Sequence, residues 1–111
     1  MTQRRELIKG SIDSLLLCLI GRQPTYGYQI IKELESQSQG YFKFKEGTLY
    51  PALHRLERSG LIEGKWEILP TGQQRKYYHM TEKGRAALSD DRCRWLDFLS
   101  AVEMILKPSR S

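Results

Sequence analysis

The stretch that decides the fold runs from Glu46 to Thr81 and reads EGTLYPALHRLERSGLIEGKWEILPTGQQRKYYHMT. Its first third has the periodicity of a helix. Residues 61–69 and 73–80 then have the character of two strands, and Pro70-Thr71-Gly72 between them is a turn-forming cluster. Thr81 is a candidate N-cap for a new helix. The stretch therefore predicts a helix, a basic hairpin and a further helix, in that order.

The helix that begins this stretch is amphipathic. Leu49, Leu53 and Leu56 recur at i, i+4 and i+7, so they lie on one face and pack against a core. We expect the helix to begin between residues 46 and 48, with Pro51 in its first turn, because a proline further inside removes a hydrogen bond and clashes with the preceding turn. Gly60 is a suitable C-terminal stop.

Two more helices are predicted before this stretch. Their apolar residues recur at helical spacing and are Ile8, Ile12, Leu15, Leu16 and Leu19 in the first helix, and Ile30, Ile31 and Leu34 in the second. Gly21 is expected to cap the end of the first helix, and Thr25 to be the N-cap of the second. The order α-α-α-β-β-α defines a mainly α fold class with a small β-hairpin, the winged helix-turn-helix.

The last helix carries a seam suited to contact with another helix. Its apolar residues fall at spacings of 7, 4, 3 and 4, an a/d pattern that Arg92 interrupts. They are Leu88, Trp95, Leu99, Val102 and Leu106. A chain of 111 residues buries only a small core, so we expect dimerisation through this seam. We assign residues 1–81 to the winged helix-turn-helix and residues 82–111 to the dimerisation helix and tail, together one compact domain.

The composition favours a polyanionic partner. The chain carries 18 Lys and Arg against 13 Asp and Glu, which gives a net charge of +5. This balance suits nucleic acid or an anionic membrane surface, and it also fits a slightly basic, solvated surface. No stretch approaches the roughly 18 apolar residues of a membrane span. Cys18 and Cys93 form no disulfide framework, so we expect a reduced cytoplasmic setting and leave a redox role for Cys93 open.

The polar face of the third helix is a candidate for reading DNA, because a helix of this kind fits the major groove. With the leucines turned to the core, the residues that point elsewhere are Tyr50, Pro51, His54, Arg55 and Arg58. A helix N-terminus also favours a phosphate, and Thr48 lies there with Lys43 and Lys45 just before it. The alternative is an ordinary amphipathic helix with a solvated basic face.

The tip of the hairpin is basic. Gln73-Gln74-Arg75-Lys76 follows the turn and precedes Tyr77-Tyr78. Basic residues at a hairpin tip, anchored by aromatic residues, suit insertion at the minor groove or along the DNA backbone. Packing within the strands would explain the tyrosines, but it does not explain four polar and basic residues in a row.

Three motifs resemble those of the PadR-like transcriptional regulators, in the same order and over nearly the whole chain. Gly47-Thr48-Leu49-Tyr50-Pro51-Ala52-Leu53, continuing to Gly60-Leu61-Ile62, is similar to their recognition helix. Arg75-Lys76-Tyr77-Tyr78 and then Thr81-Glu82-Lys83-Gly84 are similar to their wing and to the start of their C-terminal helix. Tyr26-Gly27-Tyr28-Gln29-Ile30 resembles the start of their second helix. The short, single C-terminal helix resembles the compact PadR subfamily.

The resemblance implies a sequence-specific transcriptional regulator that binds double-stranded DNA as a homodimer. It implies DNA contacts by Tyr50 and the start of the third helix and by Arg75 and Lys76 of the wing, and we add Tyr28 to this set. Two recognition helices of a dimer would fit half-sites about 34 Å apart on a near-palindromic operator. Repression is expected, since a small dimer can block polymerase by occupancy alone.

A ligand site near Trp95 is a further expectation. The indole N–H of a buried tryptophan needs a partner, and the resemblance implies that this position can line a cavity at the dimer interface for flat, apolar compounds. By position, Ser14, Leu17 and Leu99 share this cavity. Arg92 lies one turn earlier, where it would suit an anionic aromatic effector. The alternative is that Trp95 simply fills the dimer core.

Two other classes of function fit the sequence less well. The chain has no Gly-rich phosphate loop, metal cluster or recognisable nucleophile motif, so we expect no enzyme, no metal and no cofactor. A winged-helix protein–protein adaptor would lack a basic DNA face. Here the basic residues of the third helix and wing outnumber Glu46 and Glu57, and they are Lys43, Lys45, Arg55, Arg58, Arg75 and Lys76.

Overall fold

The computed structural model describes the backbone of residues 2–107, and the side chains from Ser11 onward apart from that of Cys93. The elements in this range are α1 (Thr2–Arg22), α2 (Gly27–Gln37), α3 (Glu46–Arg58), β1 (Ile62–Ile68), β2 (Gln74–Met80) and α4 (Glu82–Leu106). The predicted order α-α-α-β-β-α is confirmed. The side chains of Ile8 and Cys93 lie outside the described set.

One apolar core lies where α1, α2 and α3 meet the base of the hairpin. Most of the predicted positions are buried in it: Ile12, Leu16, Leu19, Ile30, Leu34, Leu49, Leu53 and Leu56. Leu15 and Ile31 pack against it and are partly buried. Full burial of a leucine or isoleucine is worth about 1.5–3 kcal/mol relative to exposure, so this core holds the three helices together.

The roles predicted for Gly21 and Thr25, at and just after the end of α1, were both wrong. Gly21 does not cap α1, which continues to Arg22. A Cβ on Gly21 would lie 2.7 Å from Cε of Met80, so this glycine permits close packing on the hairpin. Thr25 is not the N-cap of α2, because Tyr26 occupies that position. Thr25 instead forms a β-bridge, in which the Tyr78 N–H donates to the Thr25 carbonyl at 2.7 Å.

The third helix begins where predicted, but its proline lies further from the N-terminus of the helix than expected. Since α3 starts at Glu46, Pro51 lies in the second turn and not in the first. The missing N–H deprives the Gly47 carbonyl of its helical donor, and both residues are exposed to water. Gly60 ends the helix as predicted, with φ of +78°. Its N–H donates to the Glu57 carbonyl and that of Leu61 donates to Leu56, the pairing of a Schellman motif.

The hairpin has the predicted turn and nearly the predicted length. β1 and β2 pair antiparallel, with Ile62 opposite Met80 at the base and Ile68 opposite Gln74 at the tip. Gly72 adopts φ of +89° in the turn, a conformation that favours glycine. Because alternate residues share a face, the face that enters the core at Ile62 carries Trp66 near the tip.

The start of α4 is bonded to the end of α3, and we call this contact the α3–α4 junction. Thr81 is the N-cap of α4, as predicted, and its Oγ1 accepts from the Gly84 N–H at 3.0 Å and donates to the Gly60 carbonyl at 2.6 Å. The Lys83 ammonium donates to the Ser59 carbonyl at 2.9 Å. A Cβ on Gly84 would collide with the Leu61 carbonyl oxygen, so only glycine permits this approach.

The first half of α4 packs on α1, and its second half presents apolar side chains to solvent. Leu88 packs against the core, and the Ser14 hydroxyl donates to Asp91 Oδ2 at 3.1 Å. The exposed large apolar residues beyond this point are Leu96, Phe98, Leu99, Met104, Ile105 and Leu106. In residues 2–107 we find no helix with the length and apolar character needed to cross a membrane.

Candidate nucleic-acid interface

An open groove of about 640 Å³ lies between the start of α2, the outer face of α3 and the hairpin. We call it the α2–wing groove. Five of the predicted DNA contacts line it, namely Tyr28, Tyr50, His54, Arg75 and Lys76. The other five are exposed outside it, along α3 and just before its first turn: Lys43, Lys45, Thr48, Pro51 and Arg55. The sequence-predicted contacts therefore divide into a groove set and a helix-face set.

Arg75 is held by aromatic side chains from two elements. Its Cζ lies 3.9 Å from the centre of the Tyr26 ring, and the Tyr26 and Tyr77 rings meet edge to face at 5.4 Å. A hydrogen bond to Tyr77 raises the pKa of Arg75 above its ordinary value, against an opposing effect of desolvation and with smaller upward contributions from the charges of Tyr26 and Tyr77. This guanidinium therefore carries its positive charge at every working pH.

Lys76 is tied to α3 by a carboxylate. Its ammonium lies 3.1 Å from Glu57 Oε1 on α3, and Glu57 Oε2 accepts from the Gly64 N–H of β1 at 3.3 Å. The Lys76 side chain is only 25% exposed. Lys76 stays a predicted DNA contact, but Glu57 compensates its charge and joins both strands to α3.

Arg55 is also paired within the chain, but at the surface. Its guanidinium donates to Asp13 Oδ1 of α1 at 2.7 Å, with the two side chains 55% and 40% exposed. Ion pairs this accessible are worth about 0–1 kcal/mol. A DNA phosphate can therefore compete with Asp13 for Arg55, whereas the more enclosed Lys76–Glu57 pair is less easily opened.

Two tyrosines form the floor and wall of the groove. Tyr78 is buried, at 4% exposed, and burial raises the pKa of its phenol, with further contributions from the Glu57 carboxylate and from Tyr50. Its hydroxyl therefore stays neutral. Tyr50 projects from the second turn of α3 towards Gly27, the first residue of α2, and its ring is partly exposed to the groove.

Sequence reasoning missed two aromatic residues of the groove, Trp66 and Tyr26. Trp66 is 66% exposed and pairs across the strands with Lys76. The turn sequence contained the signal for it, since a turn at residues 70–72 fixes this register and hence the face on which Trp66 lies. Tyr26 carried no such signal, because its contact with Arg75 joins residues 49 positions apart in the chain.

The residues predicted to line an effector cavity do not all meet. Leu17 is buried in the core of its own chain, at 1% exposed, and packs there among other apolar residues. Ser14 is engaged with Asp91. Trp95 is half-buried and meets Phe98 edge to face at 5.9 Å. Arg92 and Leu99 are exposed on the same helix.

The predicted dimer seam is shorter than the sequence pattern indicated. Leu88 packs against the core of its own chain, which removes it from the surface available to a second copy. Trp95 and Val102 are half-buried, and Leu99 and Leu106 are exposed. The seam that α4 leaves open therefore begins at Trp95.

Three helices, an antiparallel hairpin and a C-terminal helix define a winged-helix regulator. Residues 16–90 match the family model described as the transcriptional regulator PadR-like family. The chain belongs to this family, and the expected resemblance is confirmed. PadR-like proteins are DNA-binding transcriptional regulators and not enzymes.

Individual relatives agree with this assignment. The chain is 34% identical over 104 residues to an uncharacterized protein X of Lysinibacillus sphaericus, covering 94% of this chain and 95% of that protein. It is 34% identical over 88 residues to the transcriptional regulator Rv3488 of Mycobacterium tuberculosis, covering 79% of this chain and 78% of that one.

Solved structures of other regulators are similar to this chain along almost their whole length. A PadR-like transcriptional regulator from Bacillus cereus superposes with a TM-score of 0.82 at 30% identity, covering 94% of this chain and 99% of that one. A transcriptional regulator from Clostridium thermocellum gives a TM-score of 0.82 at 28% identity, covering 92% and 96%. The winged-helix fold class is thereby confirmed.

Proposed function

We propose that this PadR-family regulator is a repressor that binds a near-palindromic operator as a homodimer in the cytoplasm. The observation that carries the proposal is the α2–wing groove, which places Tyr28, Tyr50, His54 and Arg75 on one open surface. Hydroxyl and guanidinium donors of this kind suit DNA phosphates, and the exposed face of α3 beside them suits base edges in the major groove.

The experiment that tests this function is selection of binding sites from a random DNA pool, followed by mobility-shift titration at stated salt with competitor DNA. A repressor of this kind is expected to select a sequence with two-fold symmetry and half-sites about 34 Å apart. It should then block transcription from a promoter that carries the selected site. No shift at micromolar protein would favour the protein–protein adaptor instead.

The proposed dimer uses the open seam on α4. Trp95, Leu99, Val102 and Leu106 fall on one helical face, and solvent-exposed apolar surface along a helix is typical of a protein interface. In this arrangement residues 1–81 bind DNA and residues 82–111 dimerise, as in the compact subfamily. Half-site symmetry in the selected DNA would follow from this two-fold interface.

Response to a ligand is a further part of the proposal. Trp95, with Phe98 against it, lies at the start of the seam, so a planar compound bound between two copies would contact its indole. The probe is a titration with planar aromatic compounds, with and without an anionic group, followed by the fluorescence of Trp95 in a Trp66→Phe variant. Unchanged emission with every compound would favour a packing role for Trp95.

A further inference from the structure

Two arginines and one lysine among the predicted DNA contacts are each held by a partner within the chain, and the partners differ in kind. Arg55 is bonded to the Asp13 carboxylate and Lys76 to the Glu57 carboxylate. Arg75 is held against the ring of Tyr26. A carboxylate compensates a positive charge, whereas an aromatic ring attracts the cation through its quadrupole and leaves the net charge in place.

The geometry of the aromatic contact also leaves hydrogen-bond donors of Arg75 available, apart from the one that bonds Tyr77. A guanidinium stacked through its flat face on a ring keeps the N–H groups in its plane, and those groups match a phosphate or carboxylate. The Cζ of Arg75 lies 3.9 Å from the Tyr26 ring centre. Arg75 also lines the α2–wing groove, so its donors are presented at the surface that we propose for DNA.

Tyr26 is fixed from both sides, which makes it a suitable support. It is the N-cap residue of α2, with extended backbone, and Thr25 before it is bridged to Tyr78 of β2. Its ring also meets that of Tyr77 at 5.4 Å. An isolated two-stranded hairpin is only marginally stable in water, so a side chain near its tip needs an anchor on the helical core to hold one orientation.

We propose that Tyr26 is a positioning residue for DNA binding, whose ring holds the Arg75 guanidinium at the rim of the groove for a DNA phosphate. This inference rests on the proposed function. It goes beyond that function because it assigns the wing's phosphate contact to a pair of residues on two elements. The aromatic ring is the required part, since the contact is made by its face and not by its hydroxyl.

The test compares Tyr26→Phe, Tyr26→Leu, Arg75→Ala and the double variant Tyr26→Leu/Arg75→Ala on the selected operator, over a series of salt concentrations. Arg75→Ala should weaken binding about tenfold, as expected for one charge-assisted hydrogen bond. It should also lower the slope of log K against log salt by about one unit. Tyr26→Leu should reproduce most of both effects, and Tyr26→Phe should bind within about twofold of the parent.

The double variant separates positioning from general structural damage. If Tyr26 acts through Arg75, the double variant binds DNA no more weakly than Arg75→Ala. The reason is that the Arg75 contact, which Tyr26 supports, is already absent in Arg75→Ala. Three results would each overturn the proposal. They are losses of DNA affinity that add in the double variant, a Tyr26→Leu variant that binds DNA like the parent, and a Tyr26→Phe variant that binds as weakly as Tyr26→Leu. Circular dichroism and thermal melting establish that each variant is folded.

A readout without DNA distinguishes this inference from the proposed function. In the free protein, the Arg75 side-chain protons should show an upfield ring-current shift in the parent and in Tyr26→Phe, and lose it in Tyr26→Leu. A shift that persists in Tyr26→Leu overturns the positioning role even if DNA binding is intact. Failure of the parent protein to bind any DNA overturns the proposed function, and the phosphate role of Arg75 with it.

Discussion

A Cβ on Gly27 would lie 2.5 Å from the hydroxyl oxygen of Tyr50 and 2.8 Å from its Cζ. Both distances are far below van der Waals contact. The start of α2 therefore approaches the recognition helix this closely because residue 27 has no side chain. The Tyr50 ring is held in the α2–wing groove by the backbone of the neighbouring helix, which fixes a proposed DNA contact without using a polar partner.

Replacement of Gly27 by alanine should push the Tyr50 ring out of its position. We expect DNA binding to weaken by about tenfold, as for loss of one donor to a phosphate, and the free energy of unfolding to fall by about 1–3 kcal/mol from overpacking. Urea denaturation and mobility-shift titration measure the two effects.

The matched control is Gly27→Ala in a Tyr50→Ala background, where the clash is gone. There the added methyl should stabilise the protein by up to about 1 kcal/mol, because alanine loses less backbone entropy in a helix than glycine. Equal destabilisation in both backgrounds would show that Tyr50 is not what requires a glycine at residue 27.

The two neighbouring basic residues of the wing should respond differently to removal of their charge. Arg75→Ala should lower the salt slope of DNA binding by about one unit. Lys76→Met should leave the slope nearly unchanged, because Glu57 already compensates that charge. Paired measurements between low and high salt on one operator test this difference.

Lys76→Met has a second expected consequence, in stability. It leaves the partly buried Glu57 carboxylate with only the Gly64 N–H, and an under-satisfied carboxylate of this kind costs about 1–3 kcal/mol. Glu57→Gln in the same background should recover part of the loss. A Lys76→Met variant with full stability and a reduced salt slope would instead show that the Lys76 charge acts on DNA and not on Glu57.

Charge placed on the open seam of α4 should separate the proposed dimer. Leu99→Asp/Val102→Asp would bury two carboxylates in an apolar interface, which is unfavourable unless they are paired. Sedimentation should then report a monomer whose helical content is retained, and DNA binding should lose its half-site symmetry. Met104→Asp is the control, since Met104 lies about 180° around the helix from Trp95 at 100° per residue.

That control residue is 75% exposed, so its substitution should leave the dimer intact. If both variants stay dimeric, the seam is not the interface. If both dissociate, the interface extends around the whole of α4 and the a/d pattern does not define it.

The stability of the protein should fall at high pH in a way that depends on Tyr78. Burial raises the pKa of this phenol above its ordinary value of 10.0, so the unfolded chain releases the proton at a lower pH than the folded one. The stability that this group contributes is fully present below about pH 10 and is lost as pH rises through the folded pKa.

Urea denaturation at several pH values between about 9 and 11 tests this sign. The free energy of unfolding should fall more steeply with pH in the parent protein than in Tyr78→Phe, which has no proton to release. Parallel curves for the two proteins would mean that the fall at high pH comes from other groups.

Local signals in the sequence predicted the elements well, and long-range contacts explain where they failed. The apolar spacing of Leu49, Leu53 and Leu56 and the capping of α4 by Thr81 are properties of a few neighbouring residues, and both are confirmed. Thr25 was wrongly assigned as an N-cap, because its bridge to Tyr78 joins residues that only the folded chain brings together.

In the candidate site, too, local features could be predicted from the sequence and long-range contacts could not. Exposure of the polar face of α3 follows from its periodicity, but the partners of Arg55 and Lys76 lie 42 and 19 residues away. Charge counting cannot show which cations are already paired. Nor can the spacing on α4 show that Leu88 packs against its own chain while Leu99 remains open, since both positions fit one apolar stripe.

The α3–α4 junction makes the last helix a rigid lever arm in the proposed dimer. The 25 residues of α4 extend about 37 Å at 1.5 Å per residue, and one end is fastened to the carbonyls that close the recognition helix. A change of about 5° at the junction displaces the far end by about 3 Å, close to the 3.4 Å rise of one base pair. Thr81 and Lys83 would thus tune the spacing of operator half-sites without contacting DNA.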